Sequence, residues 1–104
     1  MFKIEPDPTF GAPVPLSRPG VAQPIEVIVT FRYKDRDALA AWVAKKGKVD
    51  DVQLLDEVIE EWSGFDQPYS VTALSDVLAK YTPSRHEFFR SYLHELTDSK
   101  RKNS

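Results

Sequence analysis

Over residues 25–33 apolar positions recur with a period of two. Ile25, Val27, Val29, Phe31 and Tyr33 fall on one face, and Glu26, Ile28, Thr30 and Arg32 on the other. β-Branched and aromatic side chains dominate the run, so it is expected to be a strand with one face on a core. A lone strand leaves backbone donors and acceptors unpaired and needs a neighbour. Residues 9–16 are the expected partner, and their prolines would make that strand an edge; another subunit is the alternative. A short strand is also expected at residues 2–4, and Pro19-Gly20 marks a turn.

Beyond residue 34 the period changes to three and four. Asp35 is a suitable N-cap for a first helix over 36–46, which Gly47 can end; Leu39, Trp42 and Val43 form its apolar face. A second helix is expected from Asp50, with Gln53 completing a capping box and Val49 and Leu54 at the staple positions. Val52, Leu55, Ile59 and Trp62 then recur at spacings of three, four and three, so this helix is expected to reach Trp62, with Gly64 as a left-handed stop. A third helix over 71–81 starts at Ser70 and carries Val71, Leu74, Leu78 and Tyr81 at the same spacing. Thr82-Pro83 opens a fourth helix, to about residue 97, with Phe88, Phe89, Tyr92, Leu93 and Leu96 as its stripe.

The predicted fold is therefore α+β and mainly α, in one domain spanning 1–104. A proline-rich extended N-terminal part (1–34) carries one or two β-strands. A compact bundle of about four short helices (35–98) follows, and then a flexible basic tail (99–104). Six of the eight prolines lie within residues 1–24, which excludes helix there, because each removes a backbone donor and pushes its predecessor toward extended conformation.

Composition narrows the chemistry. The chain has no cysteine, which removes disulfides, thiolate nucleophiles and cysteine-ligated metals. A net charge of −2 gives no bulk attraction to nucleic acid or to an acidic membrane. No apolar run has the length of a secretory signal or a membrane span, which predicts a protein that stays in the compartment where it is made. His86 and His94 sit eight residues apart on the fourth helix, outside any nucleophile motif, and Arg90 between them opposes a cation; solvated or interfacial histidines are the simpler reading. Asp50, Asp51, Asp56, Glu57, Glu60 and Glu61 form the polar side of the second helix. They read as a solvated face, with an acidic docking face for a basic partner as the alternative. No catalytic, cofactor or metal site is expected. Aromatic residues are more numerous than so small a helical part readily buries. Their surplus points to a protein-binding face, for which Trp42, Trp62, Phe65, Phe88 and Tyr92 are the candidates.

Residues 62–70 read W-S-G-F-D-Q-P-Y-S, a helix–loop–helix joint. This joint resembles the W-x-G-x-D-x-P-[FY]-S segment of the tail assembly chaperones of long-tailed bacteriophages. The likeness extends through Leu74, Leu78, Tyr81, Tyr92, Leu96 and the basic end at 101–103. The opening ten residues and the strand ending at Arg32 are also similar. The resemblance implies a non-enzymatic protein of the host bacterial cytoplasm that is absent from the finished virion. It implies binding to the tape measure protein, a long, aggregation-prone, largely helical chain, and action with the tail tube protein that assembles around it. Self-association is expected with it, as is a longer form made by frameshifting near Lys102-Asn103. A generic interaction module or structural tail component, and a small hydrolase, are the other readings.

Overall fold

The computed structural model describes residues 1–98; the tail expected over 99–104 lies outside the described residues. Strand β1 (Thr9–Arg18) turns back into β2 (Val21–Arg32) as a long antiparallel hairpin. Arg18-Pro19-Gly20-Val21 makes the turn, with Gly20 at φ 74°, a conformation that costs glycine little. Helices α1 (Arg36–Ala44) and α2 (Asp51–Asp56) follow, then strand β3 (Ile59–Ser63), then helices α3 (Val71–Lys80) and α4 (Ser84–Thr97). β3 returns to pair antiparallel with β2, giving a three-stranded sheet of order β1-β2-β3.

The expectation of a mainly α fold is thus corrected to an α+β fold with a three-stranded antiparallel sheet and, among the described residues, four helices. Nor is the N-terminal part a loose extended stretch defined by its prolines: it is mostly a two-stranded hairpin, and Pro13, Pro15 and Pro24 all lie inside its strands. The register explains how. Tyr33 donates its backbone N–H to the carbonyl of Pro8 at 2.8 Å. Even-numbered residues of β1 therefore exchange hydrogen bonds with odd-numbered residues of β2, and the nitrogens of Pro13 and Pro15 point away from β2, where no donor is needed. The expected strand at residues 2–4 does not form.

The second correction concerns α2, which ends at Asp56 rather than Trp62. Its last carbonyls are claimed by β2: the Arg32 guanidinium donates to the carbonyls of Asp56, Glu57 and Ile59 at 3.0–3.2 Å and pairs with Glu60 at 2.7 Å. This puts a cation at a helix C-terminus and starts β3 beside β2, whose free edge needs a partner. Thr30 then pairs with Glu61 but Phe31 with Ile59, so Glu60 is the extra residue of a β-bulge. The bulge lets Ile59 and Trp62, three apart, both face inward. A helical spacing of three is reproduced by a strand.

Sheet and helices share one core. Ala12, Val14, Val27, Val29, Phe31, Ile59 and Trp62 line the inner face of the sheet. Trp42, Leu54, Leu55, Leu74, Leu78, Phe88, Phe89 and Tyr92 pack on it from the helices. Caps hold the helix starts: Ala38 donates to Asp35 Oδ1 at 2.9 Å, and Ala73 to Ser70 Oγ at 3.0 Å. Asp50 takes the extended N-cap backbone without a side-chain cap bond, and α4 begins after Pro83 rather than after Thr82.

Candidate partner-binding surface

The five aromatic residues predicted to meet a partner are brought close together, but mostly inside the protein. Trp42, Phe88 and Tyr92 are fully buried. Trp42 stacks on Phe89 with centroids 4.9 Å apart, meets Tyr92 edge-on at 5.0 Å, and donates its indole N–H to the Leu54 carbonyl at 2.9 Å. Tyr92 donates its hydroxyl to the Arg32 carbonyl at 2.7 Å, tying α4 to the end of β2. Burial, and then the charge of Glu57, push the Tyr92 pKa well above that of a free tyrosine. In this conformation these three rings offer no surface to a partner.

Trp62 and Phe65 are placed differently. Gly64, at φ 93°, turns the chain out of β3, and a Cβ there would lie 3.3–3.4 Å from Val27. It is a left-handed stop, as the sequence suggests, but it ends a strand rather than a helix. The turn folds Phe65 back onto Trp62, with ring centroids 3.8 Å apart. The Trp62 indole donates to the Gln67 carbonyl at 2.9 Å, which closes the loop. Tyr69 meets Trp62 edge-on at 4.9 Å and donates its hydroxyl to Asp56 at 2.5 Å. Burial first, and then the Asp56 carboxylate, raise the Tyr69 pKa well above the ordinary phenol value. The joint is therefore fastened to β3, to α2 and, through Ser70, to α3.

Beside this joint lies a shallow groove of about 200 Å³. Trp62, Phe65, Ala73, Val77 and Tyr81 supply its apolar lining, and Asp66, Asp76 and Lys80 stand among its polar residues. Phe65 is half-buried, and Tyr81 and Val71 are exposed. Aromatic rings held by a rigid loop and flanked by charges have the make-up of an interface anchor. The periodicity of α3 brings Tyr81 here, but sequence spacing alone assigned it to a core stripe.

A larger depression of about 480 Å³ runs between the hairpin and α4. Pro13, Pro15 and Pro24 line it, with Glu26, Arg90 and His94. Glu87 closes one side by accepting hydrogen bonds from the backbone N–H of Ser17, at 3.2 Å, and from its hydroxyl. Its lining is pyrrolidine and mixed charge rather than aromatic.

The acidic residues of the expected second-helix face are dispersed by the structure. Asp51 pairs with Arg85 at 3.3 Å, Glu57 with Lys45 at 2.6 Å and Lys34 at 3.0 Å, and Glu60 with Arg32. The Lys45 bond is the main reason the Glu57 carboxyl is held below its usual pKa. Three of the six expected carboxylates, Asp51, Glu57 and Glu60, are thus matched to basic partners. Among the described residues no group of three or more potential metal ligands comes together.

The joint and its groove fill the stretch most characteristic of the sequence, and a family model described as phage tail assembly chaperone matches residues 1–103. The chain belongs to that family. No curated protein and no solved structure matches it. For a tail assembly chaperone, membership implies interaction with phage tail proteins and points to a role without catalysis.

Proposed function

We propose that this tail assembly chaperone binds the tape measure protein, keeps it soluble, and promotes assembly of the tail tube around it, with the tube protein as a second contact. It acts by binding alone, in the host cytoplasm, and leaves before the virion is complete. The family match across residues 1–103 is the observation that carries this reading. The joint groove supplies a physical route. An amphipathic helix presents apolar anchors every three or four residues, and it needs a rigid apolar groove with a polar rim. Phe65, Val77 and Tyr81 provide the apolar part, and Asp66, Asp76 and Lys80 the rim. Trp62 acts from beneath, by holding Phe65 in place. Because the loop is already fastened, little ordering entropy is lost on binding. A long ligand needs many copies, so self-association belongs to this reading.

Co-expression with the coiled-coil-rich product of the neighbouring downstream gene tests it. The expected result is a soluble complex that can be isolated, and precipitation of that product when expressed alone. Equal solubility with and without the chaperone, and no complex, would contradict the proposal. Purified particles should lack the chain; its retention there would mark a structural tail component instead.

A further inference from the structure

β2 is twelve residues long, but β3 covers only part of it, pairing from Ile28 to Phe31. Gly64 lies beside Val27 and turns the chain away there. Among the described residues, the edge of β2 on the β3 side has no strand partner from residue 26 to the hairpin turn. The established register says which groups are left. Even-numbered residues of β2 face that edge, so Glu26 offers an N–H and a C=O, and Pro24 a C=O. On the inner face of the same stretch, Ile25 is 43% exposed. An open edge next to apolar side chains is a template for an added strand.

The same chain carries a segment with few ties to the fold. Residues 1–8 run ahead of β1, with Phe2 94% and Ile4 97% exposed. Among the described residues their side-chain tie is an exposed Lys3–Asp7 ion pair, a contact worth little. Apolar and charged residues alternate over Phe2, Lys3, Ile4 and Glu5, the pattern of a strand with one face to bury.

We infer that residues 3–6 of one copy add as an antiparallel strand to the open edge of β2 in a second copy, continuing the row that β3 leaves at Ser63. One register satisfies every constraint. With Lys3 opposite Glu26, Ile4 lies opposite Ile25, Glu5 opposite Pro24 and Pro6 opposite Gln23. Lys3 then exchanges two backbone bonds with Glu26, and opposite charges face each other on the outer side of the sheet. Glu5 donates to the Pro24 carbonyl. Pro6 falls at a position whose nitrogen points outward, where its missing N–H costs nothing. Ile4 covers Ile25.

The strand must come from another copy. Thr9 is fixed opposite Arg32, nine residues along β2 from Gln23. At ~3.3 Å per residue that is about 30 Å, whereas the three residues from Pro6 to Thr9 span at most about 10 Å. Donor segment and acceptor edge sit at opposite ends of the hairpin, so the contact is head-to-tail and propagates. This inference concerns how copies meet and stands whatever the assembly covers.

The absence of native cysteines makes the test direct. Hydrogen-bonded antiparallel partners have Cα atoms about 5.5 Å apart, within disulfide range. The double variant Lys3→Cys/Glu26→Cys, oxidised gently, should give a ladder of covalent multimers, whereas Lys3→Cys/Asp76→Cys should not. An intramolecular disulfide in a monomer, or equal yields from both variants, overturns the inference. Light scattering on the unmodified chain should show concentration-dependent growth that Ile4→Asp abolishes while leaving the melting temperature unchanged. A monomer at every concentration, or an Ile4→Asp variant that assembles normally, also overturns it. If Glu26→Cys cross-links to the tape measure protein and not to Lys3→Cys, the edge serves that partner and the inference fails.

Discussion

Trp42 and Trp62 are both held by an indole-to-carbonyl hydrogen bond of 2.9 Å and both stack on a phenylalanine, yet they end in different places. Trp42 is enclosed between α1, α2 and α4, with Phe89 and Tyr92 against it. Trp62 has the core on one side, where Phe88 lies 6.4 Å away, and a half-buried Phe65 on the other, with the groove beyond. In the first cluster Trp42 and Tyr92 are fully buried, and Phe89 keeps only a narrow exposed edge beneath the Lys46 ammonium, 4.6 Å from its centroid. In the second the stack ends at half-buried Phe65, which lines the groove. The two clusters differ in where the tryptophan stack ends, at Phe89 over the core in one and at half-buried Phe65 beside the groove in the other.

Substitutions can break or sharpen this contrast. Trp42→Ala should have the largest effect, a loss of about 3–5 kcal/mol of stability, read as a lower denaturation midpoint. A cost below that of Phe65→Ala would reverse the assignment of the two clusters. Gly64→Ala should cost about 1–2 kcal/mol or more for the left-handed backbone alone. The added Cβ also crowds Val27 and displaces the loop that carries Phe65. An unchanged melting temperature would show that the turn is not fixed as described. Phe65→Ala removes a half-buried ring and should cost about 1 kcal/mol.

Titration gives the smallest and most graded comparison, because each cluster contains one tyrosine whose pKa is raised in the folded protein. The unfolded chain loses those protons first, near pH ~10. Above that pH the unfolded state holds fewer protons than the folded one, so stability falls as pH rises toward the folded values. Tyr69→Phe should flatten the alkaline decline in melts recorded from pH 9 upward; a decline of unchanged steepness would remove Tyr69 from the account. Glu57 works in the opposite sense. Its lowered pKa favours the folded state at neutral pH, and that contribution disappears as pH falls through the carboxylate range below ~4.3.

Much of this contrast could be read from the chain, and the part that could not has a definite cause. The strand at 25–33, its partner over 9–16, the Pro19-Gly20 turn and the caps at Asp35 and Ser70 are written in local residue chemistry. β3 is not. Its inward residues, Ile59 and Trp62, stand three apart because Glu60 is bulged, and three is a helical spacing. What makes the segment a strand is distant: the free edge of β2, and Arg32 claiming the carbonyls at the end of α2. Assigning this segment to the second helix placed Trp62 on a helix instead of a strand and added to the mainly α expectation. It also gathered into one acidic face carboxylates that in fact pair with Arg32, Lys34, Lys45 and Arg85. The groove needed both Phe65 and Tyr81, sixteen residues apart, and only the packing of α3 against the joint brings them together.

The central claim is that a closed core supports a partner-binding groove at the joint. The decisive measurement is the amount of soluble tape measure protein recovered on co-expression with the double variant Phe65→Ala/Tyr81→Ala. Trp62 is left in place so that the fold persists, and thermal melting of the purified variant checks that it does. The double variant should remain folded and no longer keep the tape measure protein in solution, while Ala substitution at exposed Val43 on α1 should have no effect. A folded double variant that solubilises its partner as well as the unmodified chain does would contradict it.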